Sequence, residues 1–231
     1  MVRLDKLVAK ALGVSRKHAT KLVQSGRVSV NDSLEKSASK GVSDSDNILF
    51  EGQPIELPGK RYIVLNKPKD YICSTKDEEY PSALNLIDPR NFGNLHFAGR
   101  LDAETTGLIL ISDDGQWTHR ITSPKFKQPK TYRALLDSDI TEQAVSDLEK
   151  GVMIKDSDKP TSPAQVKVLN PKEIELTITE GRYHQVRRML VAVGNHVVEL
   201  HRSSVGSIIL SEDLGIGEWR VLTQAEVDGF L

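Results

Sequence analysis

The sequence predicts an α+β protein in which a small helix–helix–hairpin domain precedes a larger body built on a mainly antiparallel sheet with flanking helices. Three observations lead to this prediction. Two short apolar stripes at helical spacing and one strand-like stretch fill the N-terminal segment. Strand-like and alternating patterns dominate the remainder, and only three helical patterns interrupt them. With 231 residues, the chain is long enough for one small and one large domain.

The first predicted helix carries its apolar residues on one stripe, formed by Leu4, Leu7, Val8 and Ala11. Lysines occupy the opposite face. We expect Gly13 to end this helix, because glycine readily adopts the left-handed conformation found just after many helices.

A second predicted helix follows Ser15, whose hydroxyl suits the N-cap position. Its buried stripe consists of Ala19, Leu22 and Val23, and Gly26 ends it. Residues 27–32 are typical of a strand that runs into a turn.

Residues 33–59 indicate one or two further short strands that complete the small domain. Pro54, Pro58 and Gly59 then mark a linker at residues 53–60, because proline and glycine interrupt regular structure. We therefore expect residues 1–59 to form the small domain with its linker, and residues 60–231 to form the larger body.

The larger body is mainly β in pattern. Residues 164–169 and 173–180 alternate between apolar and polar side chains, as in an antiparallel hairpin with one solvated face. Further strands are predicted at residues 61–66, 107–112 and 130–136, and helices at residues 141–150, 184–193 and 223–230.

Composition excludes several classes of protein. Hydrophobic residues make up 38% of the chain and charged residues 27%, as in a folded soluble protein. No apolar run approaches the ~18 residues of a membrane span, and the N-terminus has no apolar segment of signal-peptide type. One cysteine, Cys73, excludes an internal disulfide framework, and the six histidines lack metal-ligand spacing. We expect a cytoplasmic protein with no metal, no cofactor and no membrane partner.

Charge is unevenly distributed along the chain. Residues 1–31 contain seven lysines and arginines against one acidic residue, whereas acids exceed bases in the remainder. Such asymmetry indicates a basic module that meets a polyanion. The alternative is a solvated helical face with a chance excess of cations.

The N-terminal stretch "RLDKLVAKALGVSRKHATKLVQSGRVSVN" resembles the S4-type RNA-binding module at nearly every position. The resemblance implies that this module binds RNA through its basic side chains. The expected RNA contacts are Arg3, Lys6, Arg16, Lys17, Lys21 and Arg27.

Asp102 is the residue that stands out for chemistry. It lies in "GRLD" at residues 99–102, on the loop that enters a predicted buried strand. A carboxylate there can be rigidly positioned and partly desolvated, as a nucleophile or general base requires. The alternative is an ordinary turn aspartate.

Three further features favour the catalytic interpretation. The helix in "GRYHQVRRM" presents His184, Arg187 and Arg188 on one face, and cations at a helix start require a compensating anion. Residues 115–136 hold five bases, no acid and three aromatic residues, a mixture suited to phosphate contact and base stacking. Lys67, before Pro68, is expected at the rim of the same sheet.

Together these motifs resemble those of the pseudouridine synthases, from residue 61 to the end of the chain. "LNKPKDY" resembles the first family motif, "GRLDAETTGLILISDDG" the second, "KTYRALL" the stretch with the stacking tyrosine and "EGRYHQVRRM" the third. Asp70 departs from the first motif, which usually has glycine there.

The resemblance implies roles for individual residues. Asp102 is implied as the catalytic carboxylate, Tyr132 as the base-stacking residue and Arg187 as the ion-pair partner of Asp102, with Arg188 the alternative if the register shifts by one. "LHRSSVGSIIL" resembles the closing strand, which would add an apolar wall through Val205 or Ile208. Further RNA contacts are expected from Lys67, Arg100, Lys130, Arg182, His184 and Arg188.

An S4 module fused to such a body is similar to the bacterial RsuA branch of the family. The resemblance implies isomerisation of uridine-516 of 16S rRNA. Because phosphate contacts carry little sequence information, we expect the RNA to be held in a small-subunit assembly intermediate. We also expect the enzyme to be a monomer. The alternatives are a pseudouridine synthase acting on 23S rRNA, a non-catalytic rRNA-binding assembly protein, and a nucleoside hydrolase, which would need a second catalytic acid.

Overall fold

The computed structural model describes residues 1–43, 45–55, 59–87 and 95–231. The chain divides into two compact units, Met1–Lys60 and Arg61–Leu231. The first joins two helices to short strands, and the second is built on one large, mainly antiparallel sheet. The predicted α+β class is confirmed.

The N-terminal unit follows the expected helix–helix order. Helix α1 (Leu4–Leu12) ends at Gly13, whose φ of 64° is left-handed, and α2 (Arg16–Gln24) begins at Ser15, whose hydroxyl accepts the amide N–H of His18 at 3.3 Å. The short strands are β1 (Val2–Arg3), β2 (Val28–Val30), β3 (Ser33–Leu34), β4 (Gly41–Val42), β5 (Ile48–Phe50) and β6 (Gln53–Pro54).

The predicted linker begins inside this unit. Strand β6 pairs with β5, so residues 53 and 54 belong to a sheet rather than to a connection. Residues 56–58, at the centre of the predicted linker, lie outside the described residues.

The second unit is organised around one sheet, with β11-β12-β10-β13-β9-β7-β15 in spatial order and β8 and β14 paired at its margins. Its strands are β7 (Tyr62–Lys67), β8 (His96–Phe97), β9 (Thr106–Ser112), β10 (Lys130–Leu136), β11 (Gln165–Asn170), β12 (Glu173–Ile178), β13 (Val197–Val205), β14 (Ile208–Ile209) and β15 (Trp219–Val221).

One parallel pairing interrupts the antiparallel pattern. Strands β9 and β13 pair in parallel, with Gly107 beside Arg202. Gly107 has a φ of 101°, and a Cβ atom built there would lie 2.4 Å from the carbonyl oxygen of Arg202. Only glycine meets both conditions, because it lacks Cβ and tolerates positive φ. This close approach joins the strand after Asp102 to the strand that carries Arg202.

In the part of the unit that the structure describes, four α-helices accompany the sheet: α3 (Gly115–Thr122), α4 (Glu142–Lys150), α5 (Gln185–Ala192) and α6 (Gln224–Asp228). Short 3₁₀ helices span Ala83–Leu86 and Pro124–Phe126. Helix α3 is not among the helices that the sequence predicted, and it begins directly after Asp114. The Asp114 carboxylate is the N-cap and accepts amide hydrogens from Gln116 and Trp117. Trp117 is also buried against Tyr62 and Phe230, and is therefore unavailable for stacking on RNA bases.

Two apolar clusters pack in this unit. One contains Leu101, Tyr132, Met189 and Leu200, and it surrounds the site described below. The other contains Trp117, Phe230 and both residues expected to form the apolar wall of the site, Val205 and Ile208. That expectation was wrong, because these two side chains pack into the other cluster and do not line the cavity.

Candidate active site

Asp102 lies on the loop between β8 and β9. Leu101 anchors this loop by burying its side chain and donating its amide hydrogen to the Cys73 sulfur at 3.3 Å, and the Thr105 amide donates to the Asp102 carbonyl at 3.0 Å. The Asp102 side chain itself remains 38% exposed. The loop therefore holds a solvent-accessible carboxylate on a fixed backbone.

Lys67 contacts the same loop from the interior of the protein. It is fully buried at the end of β7, and its ammonium donates to the carbonyl oxygens of Pro68, Tyr71 and Ala103 at 2.8, 2.8 and 3.3 Å. Burial lowers its pKa to about 8, against the opposing effects of Cys73 and, next, of the Asp102 carboxylate. The expectation that Lys67 contacts RNA was wrong, because its side chain is fully buried and its ammonium already donates to three backbone carbonyl groups.

Asp70 follows in the same turn with a φ of 63°. This is the left-handed region that favours glycine, the residue usual in the family motif at this position, and aspartate is among the side chains that tolerate it best. The amide of Asp70 donates to the carbonyl of Ala103 at 2.9 Å. The departure from the motif therefore leaves the turn in the conformation that glycine would adopt.

Helix α5 begins beside Asp102. His184, the residue before the helix, also has a left-handed backbone, with a φ of 48°, and its Nε2 lies 3.2 Å from Oδ1 of Asp102. The exposed ring of Tyr183 stacks on the His184 imidazole at a centroid distance of 3.8 Å. The start of α5 therefore places an imidazole nitrogen within hydrogen-bond distance of the Asp102 carboxylate.

Arg187 has a different partner from the expected one. Its Nη2 lies 3.5 Å from Oε2 of Glu104, and its Nη1 donates to the Val197 carbonyl at 3.3 Å. In place of the expected Asp102–Arg187 ion pair, His184 lies beside Asp102 and Arg187 forms an ion pair with Glu104. Glu104 follows Asp102 by two residues and reaches Arg187 one turn into the helix. The alternative partner, Arg188, donates to the Tyr183 carbonyl at 3.2 Å.

Tyr132 occupies the inward face of β10. Strand alternation buries Tyr132 and Ala134 and leaves Arg133 exposed between them. The Tyr132 hydroxyl lies 3.4 Å from Nη1 of Arg202, which is directly opposite on β13. The ring therefore borders the cavity with its hydroxyl already engaged.

A cavity of about 370 Å³ brings these residues together, within the range of roughly 300–1,000 Å³ that is usual for ligand pockets. Its apolar wall consists of Leu101, Ile178, Val186 and Leu200. Its polar lining includes Asp102, Tyr132, His184, Arg187 and Arg202, together with Arg100, Lys130 and Arg182, which were predicted as RNA contacts.

The predicted RNA contacts that line the cavity differ in how many contacts they already make within the protein. The Arg182 guanidinium donates to Ser157, Lys159 and Pro160 and lies 3.3 Å from Glu180. Its contacts brace the cavity rim.

Lys130 is more available. It is half-buried and donates to the Gln128 carbonyl at 2.9 Å, and burial, followed by the nearby Arg202 charge, lowers its pKa to about 8. Arg100 is exposed. These two cations are placed to meet an anion at the cavity.

Arg202 and Gln185 are buried site residues that the sequence analysis missed. Gln185 bridges Glu180 and the Arg182 backbone, and Arg202 donates to the Leu108 carbonyl. Arg202 lies on the inward face of β13, where an apolar side chain is usual. An arginine at such a position is the signal that could have identified it as a site residue.

The cations of the N-terminal unit fall into two groups. Arg3 and Arg16 form ion pairs with buried Asp5 at 2.8 and 3.1 Å, and hydrogen bonds from Arg3 and then Arg16 lower the pKa of Asp5 to about 2. Arg27 pairs with Glu51. The remaining predicted RNA contacts are exposed: Lys6, Lys17 and Lys21.

None of the described helices is both long and apolar enough to cross a membrane. Within the described ranges, His, Cys, Asp and Glu side chains form no group of three or more that could hold a metal ion.

Comparison with known proteins agrees with the motifs. The family model for RNA pseudouridylate synthase matches residues 61–192, and that for the S4 domain matches residues 2–48. Ribosomal small subunit pseudouridine synthase A of Vibrio parahaemolyticus is 48% identical over 229 residues, and that of Escherichia coli K12 is 45% identical over 227, with 98% of each chain covered. A crystal structure of pseudouridylate synthase shares 42% identity and a TM-score of 0.73 over 100% of both chains. The chain therefore belongs to the RNA pseudouridylate synthase family and carries an S4 domain at its N-terminus.

Proposed function

We propose that this protein isomerises one uridine of small-subunit rRNA to pseudouridine, with Asp102 as the catalytic carboxylate, Tyr132 as the base-stacking residue and Arg187 as a supporting cation. The observation that carries the proposal is the convergence of Asp102, Tyr132 and the start of α5 on one cavity. The uridine equivalent to position 516 of 16S rRNA is the proposed target.

The residue set suits this reaction. Pseudouridine formation breaks the N1–C1′ bond of uridine, turns the uracil and rejoins it through C5. A glycosidase that uses water typically needs two carboxylates, an acid and a base. Here one carboxylate is sufficient, because uracil stays in the site and no water adds to the sugar. Asp102 attacks C1′ as a nucleophile or removes the C2′ proton, and both routes place it beside the ribose.

The target base must leave the RNA stack to reach Asp102. Enzymes that modify a stacked base extrude it into a pocket and hold it there by stacking and edge contacts. Tyr132 offers the ring, and the apolar wall around Leu200 and Ile178 excludes water from the base. Lys130 and Arg100 supply positive charge for the flanking phosphates.

The S4 domain supplies general RNA affinity. We propose residues 1–59 as the RNA-binding domain with its linker and residues 60–231 as the catalytic domain. Lys6, Lys17 and Lys21 are exposed and suited to phosphate contact, whereas Arg3, Arg16 and Arg27 also serve internal ion pairs. Phosphate contacts fix register but carry little sequence information, so selectivity for one uridine depends on RNA shape.

The relatives named ribosomal small subunit pseudouridine synthase A favour small-subunit rRNA as the substrate. Because RNA shape carries the selectivity, we propose that the protein acts on 16S rRNA in a partly assembled small-subunit particle. We further propose that it acts in the cytoplasm as a monomer. Bare, unfolded rRNA should react more slowly.

The test compares substrates and one matched pair of variants. Purified protein is incubated with unmodified 16S rRNA, 23S rRNA and reconstituted small-subunit particles, and pseudouridine is mapped by chemical adduct and primer extension. One modified uridine in 16S rRNA, formed fastest in particles, is expected. Modification of 23S rRNA alone would reassign the substrate, and no modification of any RNA would favour the non-catalytic assembly protein.

Asp102→Asn should retain the fold and RNA binding but lose tritium release from C5-labelled uridine, because only the nucleophilic charge is removed. Asp213→Asn, the same change on an exposed loop, is the control and should behave as the wild type. Tritium release by Asp102→Asn at the wild-type rate would contradict the catalytic assignment.

A further inference from the structure

Arg202 joins both ends of the Asp102 loop. Its Nε donates to the Leu108 carbonyl at 2.7 Å, and its Nη1 donates to the Arg100 carbonyl at 3.4 Å. These two carbonyls flank the segment that contains Asp102. One guanidinium therefore ties the entrance of the loop to the strand that leaves it.

The same side chain also contacts the stacking tyrosine. Nη1 of Arg202 lies 3.4 Å from the Tyr132 hydroxyl, and its Cζ lies 5.9 Å from the centroid of the Tyr132 ring. Asp102 and Tyr132 lie on separate segments, and Arg202 contacts both the backbone beside the first and the hydroxyl of the second. Their relative position is thus coupled through one residue.

Burial makes this arrangement costly. Arg202 is only 2% exposed, and among the described residues its hydrogen-bond partners are neutral oxygens, while its Nη2 has no such partner. A buried charge with an unsatisfied N–H group is unfavourable for folding. A neutral donor could bind the same carbonyls at lower cost, so a purely structural role explains the charge poorly.

We propose that Arg202 is a positioning residue that holds the Asp102 loop and Tyr132 in the relative geometry needed for isomerisation. This inference rests on the proposed function. Misplacement of reacting groups by about 1 Å can slow a reaction by ~100-fold, so loss of the two carbonyl contacts should act on the chemical step.

The experiment measures single-turnover kinetics and RNA affinity for the full-length protein. Arg202→Met retains an unbranched apolar side chain in place of the aliphatic part of arginine but removes the guanidinium, and its rate constant should fall by about 100-fold while the Kd for RNA changes by less than about threefold. Arg202→Lys retains one donor group and should recover part of the rate. Arg133→Met removes an exposed arginine from the opposite face of β10 and should leave the rate constant unchanged.

The rate constant separates positioning from a loss of folded protein. A merely structural role would lower the reaction amplitude, because fewer molecules fold, but the folded molecules would react at the wild-type rate. If Arg202→Met does not fold, Arg202→Lys decides: a single ammonium cannot reproduce the two-ended contact, so its rate constant should fall at least about tenfold.

Three results would overturn the inference. The first two are a wild-type rate constant in Arg202→Met and a wild-type rate constant in Arg202→Lys. The third is a raised Kd for RNA with an unchanged rate constant in either variant, which would make Arg202 a phosphate contact. Failure of the proposed function looks different, because the wild-type protein would then be inactive on every RNA or Asp102→Asn would remain active.

Discussion

His184 illustrates how a single residue shapes the site. A non-glycine residue in the left-handed conformation costs roughly 1–2 kcal/mol, and here that conformation turns the imidazole toward Asp102. Asp70 adopts the same conformation on the other side of the loop. Local strain of this kind is characteristic of functional sites. Both residues border the loop that carries Asp102, the proposed catalytic residue.

Two variants of Tyr132 should distinguish the contribution of base stacking from that of the hydroxyl contact to Arg202. Tyr132→Phe keeps the ring and removes the contact to Arg202, so RNA binding should survive better than turnover. Tyr132→Ala should weaken binding as well, since stacking contributes ~1–3 kcal/mol per base, or roughly 5- to 150-fold in Kd. Filter binding and single-turnover assays measure the two effects, and wild-type behaviour of Tyr132→Ala would make the tyrosine structural.

Lys130 should make RNA binding depend on pH. Burial lowers its pKa to about 8, so the ammonium is fully charged only below that pH. As pH rises above 8 the free protein loses this charge, and affinity for phosphate should fall between pH 8 and 9. A bound phosphate raises the pKa of Lys130 in the complex, which sets the upper limit of the fall.

Lys130→Arg is the control, because arginine keeps its charge throughout this range. Lys67 also has a pKa of about 8, but it is present in both proteins and its effect cancels in the comparison. Parallel pH profiles of Kd for the two proteins would show that Lys130 does not contact RNA.

At the scale of elements, the parallel pairing of β9 with β13 holds the site together. It places the strand after Asp102 against the strand that carries Arg202, and β10 brings Tyr132 to the other side of β13. The pairing is possible only because Gly107 allows the two backbones to approach. The three candidate functional segments therefore depend on a contact between distant parts of the sequence.

Gly107→Ala should destabilise the catalytic body strongly. A Cβ atom would meet the Arg202 backbone at 2.4 Å in addition to requiring a φ of 101°. Strain of roughly 1–3 kcal/mol and overpacking of roughly 1–3 kcal/mol together predict a loss of about 2–6 kcal/mol in the free energy of unfolding.

Gly194→Ala serves as the matched control, because its φ is 81° but no atom lies within 4 Å of the added Cβ. It should show the strain alone. Urea denaturation of both variants measures the difference, and equal losses would mean that β9 and β13 separate at little cost.

At the scale of the whole molecule, the chain joins a basic module to a body in which acids exceed bases. In the proposed function, the module contributes long-range attraction to RNA, and the body contributes the cavity that Asp102 lines. Because non-specific affinity depends on released counterions, the two contributions can be distinguished by salt.

Replacing Lys6, Lys17 and Lys21 by glutamine should reduce the slope of log Kd against log salt by up to about 2–3, since each phosphate contact contributes roughly 0.9 on duplex RNA or somewhat less on single strands. The single-turnover rate at saturating protein should remain unchanged. The same substitutions at Lys150, Lys155 and Lys167, which do not line the cavity, provide the control. Equal slopes for both triple variants would make the N-terminal charge solvated surface only.

The sequence by itself determined the class, the main elements and the motifs that match the family. Local patterns were sufficient for this: Gly13 and Ser15 delimit α1 and α2, and the alternation across residues 130–136 places Tyr132 on a buried face. Helix α3 is the exception, because the same Asp-Gly pair serves a turn or a helix N-cap, and only the packing of Trp117 distinguishes the two.

Only the tertiary structure decided which partners the site residues have. It places His184 rather than Arg187 beside Asp102, and it buries Lys67 against the Asp102 loop. It also packs Val205 and Ile208 into the second apolar cluster. It also brings Arg202 against the carbonyl of Arg100, which lies 102 residues earlier in the chain. Such contacts depend on strand order and register, which local periodicity does not encode because it specifies the buried face of a strand but not its neighbour.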